Sequence, residues 1–519
     1  MDYTELYRVY LRRWRKIDPA TMFEVLVFAH MNGIYSSRDI ERACRNDIRF
    51  MWILQDAPTP DHATIARFQN ERLAIVMENL FYQLVEKLSA LGEIEFKNLF
   101  VDGTKLEANA NRYTFVWAKA VQKNLNKLHA RIDQELPEIA FKYSLNPNVE
   151  LEQAIQFLSG IEGMSGISFV RGKGKRKTEL QHDWEKLTEY RERIEKYKES
   201  LGICGKRKSY SKTDTDAIFM HMKEDHMRNG QLKPVYNVQI GVKSEYIIGV
   251  GPFPNPTDTT TLIPFLERVQ NGCGRKYRNI IADAGYSSGE NYTYLENKQI
   301  NAYIKPSDYE VRKTKRFKSN PYRTENLFYD DANDCFICPN GKRLYYAYDS
   351  RTTTENGYTV TKKNYVCEGC AGCPHREQRF KGKYENRKIS LSQTMARQKR
   401  EATERITTDD GIVLQMNRSI QVEGAFGVLK EDYTFQRFLT REKRKTETQF
   451  FLLCFAFNIR KLWNRSNSGR FHKSLFEKII ALGKKQVNIS MKKEGIFHTL
   501  WRECEKKSVN LIPSMIEYK

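Results

Sequence analysis

The sequence predicts an α/β protein: a sheet flanked by helices, preceded by an all-α N-terminal domain and interrupted by two insertions. Three observations carry this. Two short apolar runs, Leu99-Phe-Val and Ile280-Ile-Ala, each end in a lone acid, Asp102 and Asp283. Strand-like and helix-like stretches alternate around them, the pattern of helices packed on a sheet. A long helical seam and a cysteine-bearing segment interrupt that alternation. An acid closing an apolar strand holds a carboxylate at the sheet edge, although Asp102-Gly103 is also a common turn pair.

The 519 residues suffice for about two to four domains with a large core. Hydrophobic residues make up 40% and aromatics 12%, which excludes a disordered chain. Lys and Arg number 86 against 64 Asp and Glu, a net charge of +22 spread along the chain. That points to a polyanion, nucleic acid before anionic membrane, with a basic protein lacking such a partner as the alternative. The start, Met1-Asp-Tyr-Thr-Glu-Leu, has no signal-peptide core. The most apolar run, Phe450 to Phe457, is too short to cross a bilayer and reads as a buried helix. Ten cysteines in such a chain suggest thiols or metal ligands before disulfides.

Residues 1–95 read as helical. Met22 to Ala29 is apolar, Ser36 to Leu54 follows with Ser36 and Asp39 in capping-box-like spacing, and Thr59-Pro60 opens a helix with an apolar face from Ile65 to Leu84. Short basic helices read equally as a helix-turn-helix or as a plain bundle. Arg38, Arg67 and Arg72 are the candidates for DNA contact. Residues 96–112 carry the first strand. In 113–212, Val121, Leu125, Leu128, Ile132 and Leu136, then Leu180, Trp184, Leu187, Tyr190, Ile194, Tyr197 and Leu201, recur at threes and fours. These are two seams of an antiparallel helical hairpin. Lys173, Lys175 and Arg176 lie in the basic loop between its arms and either contact phosphate or stay solvated.

Residues 213–307 return to the sheet. Ala217 to Met222, Tyr236 to Val242 and Tyr246 to Val250 alternate as strands. Asp258 reads as the N-cap of a helix over Leu262 to Val269, with a catalytic role as the second choice. Asp283 closes the next strand, a helix starts at Ser287 or Ser288, and Ile300 to Lys305 is another strand. Residues 308–390 hold Cys335, Cys338, Cys367, Cys370 and Cys373, with 28 residues between Cys338 and Cys367. That matches a zinc-ribbon spacing with one cysteine spare, the alternatives being free thiols or an iron–sulfur cluster. In 391–465, Val422, Phe426 and Leu429 form an apolar stripe beside a polar one of Glu423, Gly427 and Lys430. Two glycines there imply close approach or tight packing, although Glu423 and Lys430 read alone as a solvated face. Residues 466–519 are a basic tail.

With three acids in place, the chain resembles the DDE transposases of bacterial insertion sequences, in the group with an N-terminal helical domain, a split RNase H-like core and a cysteine-bearing insertion. The resemblance runs from about Tyr10 to Asn464, on Asp102 in "VDGT", Asp283 in "ADAGY" and Glu423 in "NRSIQVEGAFGVLK". It implies an RNase H-like core, a mixed sheet flanked by helices. It also implies that Asp102, Asp283 and Glu423 bind two magnesium ions, replaceable by manganese, and that Arg418 and Lys430 hold phosphates. Arg418 stands five residues before Glu423, one more than the commonest family spacing, where Ser419 sits, and no Tyr fills the family's upstream slot. Relatives often end the cysteine insertion with a further cysteine, near where this chain has Arg379.

The function implied is cleavage at the terminal inverted repeats of an insertion sequence and joining of the freed 3′-OH ends to target DNA. Double-stranded DNA, a homodimer on paired ends and a cytoplasmic, nucleoid-associated place without membrane follow from the same resemblance. The alternatives are a transposase-derived DNA-binding protein without catalysis and, third, an unrelated RNase H-like nuclease. Acids at strand ends repel phosphate unless a cation is present, which favours the enzyme.

Overall fold

The computed structural model describes residues 1–10, 17–165, 169–170, 177–222, 230–354, 356–376 and 385–471. Met1–Trp463 forms one compact unit, and Asn464–Lys519 is a second.

Six helices open the chain: α1 (Thr4–Val9), α2 (Pro19–Met31), α3 (Ser37–Asn46), α4 (Ile48–Leu54), α5 (His62–Arg67) and α6 (Ala74–Ala90), with a π-turn over Phe68–Leu73. Local chemistry sets their starts. The Asp18 carboxylate accepts from the backbone N–H of Ala20 and Thr21, with Pro19 in the first turn. Two expectations shift here. The stretch from Ser36 to Leu54 is two helices, because the chain extends at Asp47, whose side chain then caps α4, and Ser36 caps nothing with its hydroxyl. The helix expected from Pro60 begins at His62, with Asp61 accepting from the Thr64 N–H at 2.6 Å.

The sheet is built on β1 (Asn98–Glu107). After β2 (Phe115–Trp117) come α7 (Ala118–Lys142), α8 (Leu151–Ser165) and α9 (Glu179–Cys204). The expected two-armed hairpin is therefore three helices, and all three share one small core of Leu128, Ile132, Ile155, Leu158, Leu187 and Tyr190. The chain returns through β3 (Ser209–Ser211), which pairs with β2, then β4 (Ile218–His221), β5 (Leu232–Lys243) and β6 (Tyr246–Phe253). Next come α10 (Leu262–Cys273), β7 (Asn279–Ala282), α11 (Gly289–Asn297) and β8 (Asn301–Ile304). Strand order is β4-β5-β1-β7-β8, with β6 also on β5. Strand β5 is antiparallel to both β6 and β1, while β1, β7 and β8 run parallel.

Past short helices α12 (Tyr309–Lys313) and α13 (Lys315–Lys318), a separate antiparallel sheet holds β9 (Phe328–Asp330), β10 (Cys335–Ile337), β11 (Arg343–Thr353), β12 (Thr359–Cys367) and β13 (Lys388–Leu391). It has its own core of Phe336, Leu344, Tyr365 and Ile389. The chain ends in α14 (Gln393–Thr407), α15 (Asp409–Arg418), a π-turn at Ser419–Glu423, α16 (Gly424–Gly427), a second π-turn at Val428–Asp432 and α17 (Lys443–Asn467). Phe450 to Phe457 of α17 are all buried, and Phe455 meets Phe23 of α2 edge-on at 5.1 Å. The N-terminal helices and the sheet thus share one continuous core. No described helix is long and apolar enough to cross a membrane.

Candidate active site

The two strand-ending acids meet because β1 and β7 are parallel neighbours. Leu99 pairs with Ile280 and Phe100 with Ile281, and the same register carried two residues further sets Asp102 opposite Asp283. Each carboxylate is held from behind by a glycine amide. Oδ1 of Asp102 accepts from the Gly103 N–H at 2.8 Å, and Oδ1 of Asp283 from the Gly285 N–H at 2.8 Å. The two Oδ2 atoms both reach the Arg418 guanidinium, which contacts Asp102 and lies 4.0 Å from Asp283. Arg418 is buried, and its Nε has no hydrogen-bond partner among the described residues.

Glu423 arrives from the third element. The helical run from Asp409 packs on β1 and β5 through the turn holding Val422, which is fully buried. Asp102, Asp283, Arg418, Glu423 and Lys430 line one cleft of about 360 Å³, with Gly103, Thr104 and Gly427. The unusual spacing from Arg418 to Glu423 has a structural reason. In a π-turn the backbone bond spans five residues instead of four, so one extra residue is absorbed within a turn. The π-turn Ser419–Glu423 does this, and both side chains reach the same cleft. The close packing expected at Gly424 and Gly427 is not found among the described residues: a Cβ on either would meet none of them within 4 Å beyond its own helix. Their face is open to whatever enters.

The donor set is three carboxylates, hard oxygen ligands suited to a divalent cation such as magnesium. Among the described residues no group of His, Cys, Asp or Glu is arranged to hold a metal ion as it stands, and at Asp102 and Asp283 the guanidinium supplies the positive charge. The residues fit such an ion in kind and in the elements that present them.

Asp258 departs from expectation. It caps no helix: Thr261 holds the N-cap position of α10, without a side-chain bond. Its Oδ1 instead accepts from Asn237 Nδ2 at 2.8 Å and Gln239 Nε2 at 3.1 Å on β5. Gln239 Oε1 accepts from the Tyr286 hydroxyl. Burial, then the charges of Asp102, Asp258 and Asp283, push the Tyr286 phenol well above its ordinary value, so it stays a neutral donor. Reading the sequence missed Gln239 and Tyr286. The available signal was two amides, Asn237 and Gln239, alternating with apolar residues on a central strand.

Arg38, Arg67, Arg72 and the five insertion cysteines do not line this cleft. Arg67 and Arg72 line a separate hollow of about 630 Å³ with Arg8, and Arg38 is exposed on α3 outside it. Lys173, Lys175 and Arg176 lie outside the described residues, as does Arg379. The five insertion cysteines form no metal site among the described residues. Cys338, Cys367 and Cys370 are part of the small sheet's core, and Cys370 Sγ accepts from the Arg387 N–H at 3.2 Å. Cys335 sits on β10 opposite Asp330 and Tyr345, and Cys373 Sγ accepts from Asn340 at 3.6 Å.

A family model described as transposase DDE domain matches residues 337–463. A second, described as transposase domain (DUF772), matches residues 2–71. Together they support an insertion-sequence DDE transposase. No curated protein and no solved structure matches the chain. The first match contains Arg418, Glu423 and Lys430, while Asp102 and Asp283 fall between the two matches; the β1–β7 register brings those two together, and the shared cleft joins them to Glu423.

Proposed function

We propose that this transposase cuts DNA at the terminal inverted repeats of its element and joins the freed ends to target DNA. The observation that carries the proposal is the convergence of Asp102, Asp283 and Glu423, from three separate elements, on one cleft with Arg418 and Lys430. The antiparallel β6-β5-β1 followed by parallel β7 and β8 supports an RNase H-like core. Asp102, Asp283 and Glu423 would hold two magnesium ions, which when bound supply acidity to the attacking water and neutralise charge at the leaving oxygen.

The chain's own part follows from its geometry. The Gly103 and Gly285 amides fix one oxygen of each aspartate and leave the other facing the cleft. Arg418 places a positive charge beside both carboxylates and offsets the repulsion between them. Lys430, beside Glu423 in the cleft, meets the phosphate, and the open face at Gly424 and Gly427 admits the DNA backbone. In cleavage, water oxygen bonds to phosphorus and the P–O3′ bond breaks, leaving a 3′-hydroxyl. In joining, that hydroxyl oxygen bonds to a target phosphorus and the target's P–O3′ bond breaks. Two ends must be held together, which a homodimer would do.

Asp102→Asn keeps the shape of the side chain and removes its charge. It is expected to lower cleavage of a duplex carrying the element's end by at least about 10²-fold, with end binding unchanged in a mobility-shift titration. Cleavage at the wild-type rate would refute the assignment.

A further inference from the structure

We propose that Asp258 is a positioning residue of the active site: from behind the sheet it locks the Gln239 amide, and through Tyr286 it fixes Asp283 against Asp102. The inference rests on the reading of Asp102, Asp283 and Glu423 as the metal-binding acids and adds the support that sets their spacing.

Side chains alternate across a strand, and directly paired residues share a face. Gly103 pairs with Gln239, and Asp102 with Ile240. Gln239 and the Gly103 position therefore lie on one face of the sheet, and Asp102 on the other. Asp258 belongs to the Gln239 face. A Cβ built on Gly103 would stand 3.0 Å from Asp258 Oδ1 and 2.3 Å from Gln239 Nε2. Asp258 is thus packed behind the strand whose front carries Asp102.

Its second oxygen reaches the other acid's loop. A Cβ on Gly285 would stand 3.2 Å from Asp258 Oδ2 and 3.0 Å from Asp283 Oδ1. Asp258 therefore wedges between the residue after Asp102 and the residue two after Asp283. Each wedge point is a glycine.

Hydrogen-bond chemistry gives the wedge a direction. An ionised carboxylate only accepts, whereas a Gln amide can present either end. With Oδ1 of Asp258 and Oδ1 of Asn237 both taking hydrogens from Gln239 Nε2, the amide must turn Oε1 to the Tyr286 hydroxyl. Gln239 and Tyr286 are fully buried, so no water competes for these bonds. Tyr286 in turn closes the short turn after Asp283, its N–H donating to the Asp283 carbonyl at 3.3 Å. Removing Asp258 frees the amide to flip and releases Tyr286, and with it the Asp283 carboxylate. Partners that orient metal ligands in this way typically contribute about 10–100-fold in metal affinity.

The test uses the full chain without DNA and Mn²⁺ as the probe, with binding read by the loss of free-ion paramagnetic resonance. Asp258→Ala is expected to weaken Mn²⁺ binding by about 10–100-fold, and Asp258→Asn, whose amide oxygen can still accept from Asn237 and Gln239, to recover most of it. Tyr286→Phe, which keeps the volume and removes the hydroxyl, should weaken binding as Asp258→Ala does. Wild-type Mn²⁺ affinity in Asp258→Ala would overturn the inference and leave the three-acid reading standing. Equal losses in the Ala and Asn variants would overturn it too, since Asp258 would then act by its charge. A wild-type protein that binds no Mn²⁺ would overturn both readings together.

Discussion

Asp102 and Asp283 share one solution to one problem. On the proposed reading each carboxylate faces a cation and cannot be left to rotate, and the amide of a following glycine pins one oxygen of each. The glycines also leave the room that Asp258 and Gln239 fill. Gly103→Ala is therefore expected to push Gln239 from its place, costing about 1–3 kcal/mol as overpacking of a filled site. Chemical denaturation reads the cost, and the cleavage rate of the same variant should fall with it; an Ala variant of unchanged stability and rate would show the network to be slack. Both acids were legible in the sequence because each ends an apolar run. Asp258 was not, since Thr257-Asp258-Thr259 before an apolar helix has the chemistry of a cap. Only the fold shows that the carboxylate turns to the strand instead.

At the scale of elements, the π-turns decide what the sequence could give. The stripe Val422, Phe426, Leu429 was legible and is buried. The five-residue step from Arg418 to Glu423 fits no α-helical face, and its sense appears only with the π-turn Ser419–Glu423. Such a turn is an α-helix with one residue added. Deleting Ser419 should return the run to an α-helix with Arg418 and Glu423 still on one face, so the variant is expected to retain most of its cleavage. A loss as deep as that of a catalytic-acid variant would mean that the π geometry itself is required. The inserted helices show the reverse limit: both long seams were legible, while α8, with Ala154, Ile155 and Leu158 buried, hid in the segment between them. Helix α2 carries a prediction of its own. His30 is fully buried, its Nδ1 bonds to the Leu26 carbonyl at 2.8 Å, and burial pulls its pKa from 6.5 to about 4. The unfolded chain then takes up a proton first as pH falls, so stability is lost between pH 6.5 and 4, by about 3 kcal/mol. Urea unfolding at both ends of that range should show the drop, and His30→Gln should flatten it; a wild-type slope in the variant would place the titration elsewhere.

Across the whole molecule, one core joins the parts that the sequence presents as separate. Helices α2 and α6, the sheet and α17 bury one another, and the Asn458 side chain in α17 both donates to and accepts from the Ile247 backbone at 2.7 and 2.9 Å. This was not legible, because no local pattern states which helix covers which face of a sheet. The outcome is mechanical: the helix run bearing Glu423 and the strands bearing Asp102 and Asp283 belong to a single body, so the cleft is set by packing within the chain itself. The net charge of +22 belongs to the whole chain and suits a polyanionic partner, which three carboxylates in the cleft would repel unless cations intervene. The central claim is that these three acids cut DNA together, and a labelled duplex carrying the element's own end, incubated with magnesium and with either wild type or Glu423→Gln, tests it most directly. The account predicts a nick at the end with wild type, none after chelation, and a variant that binds the duplex without cutting it. Equal cutting by Glu423→Gln, or cutting that survives chelation, would contradict it.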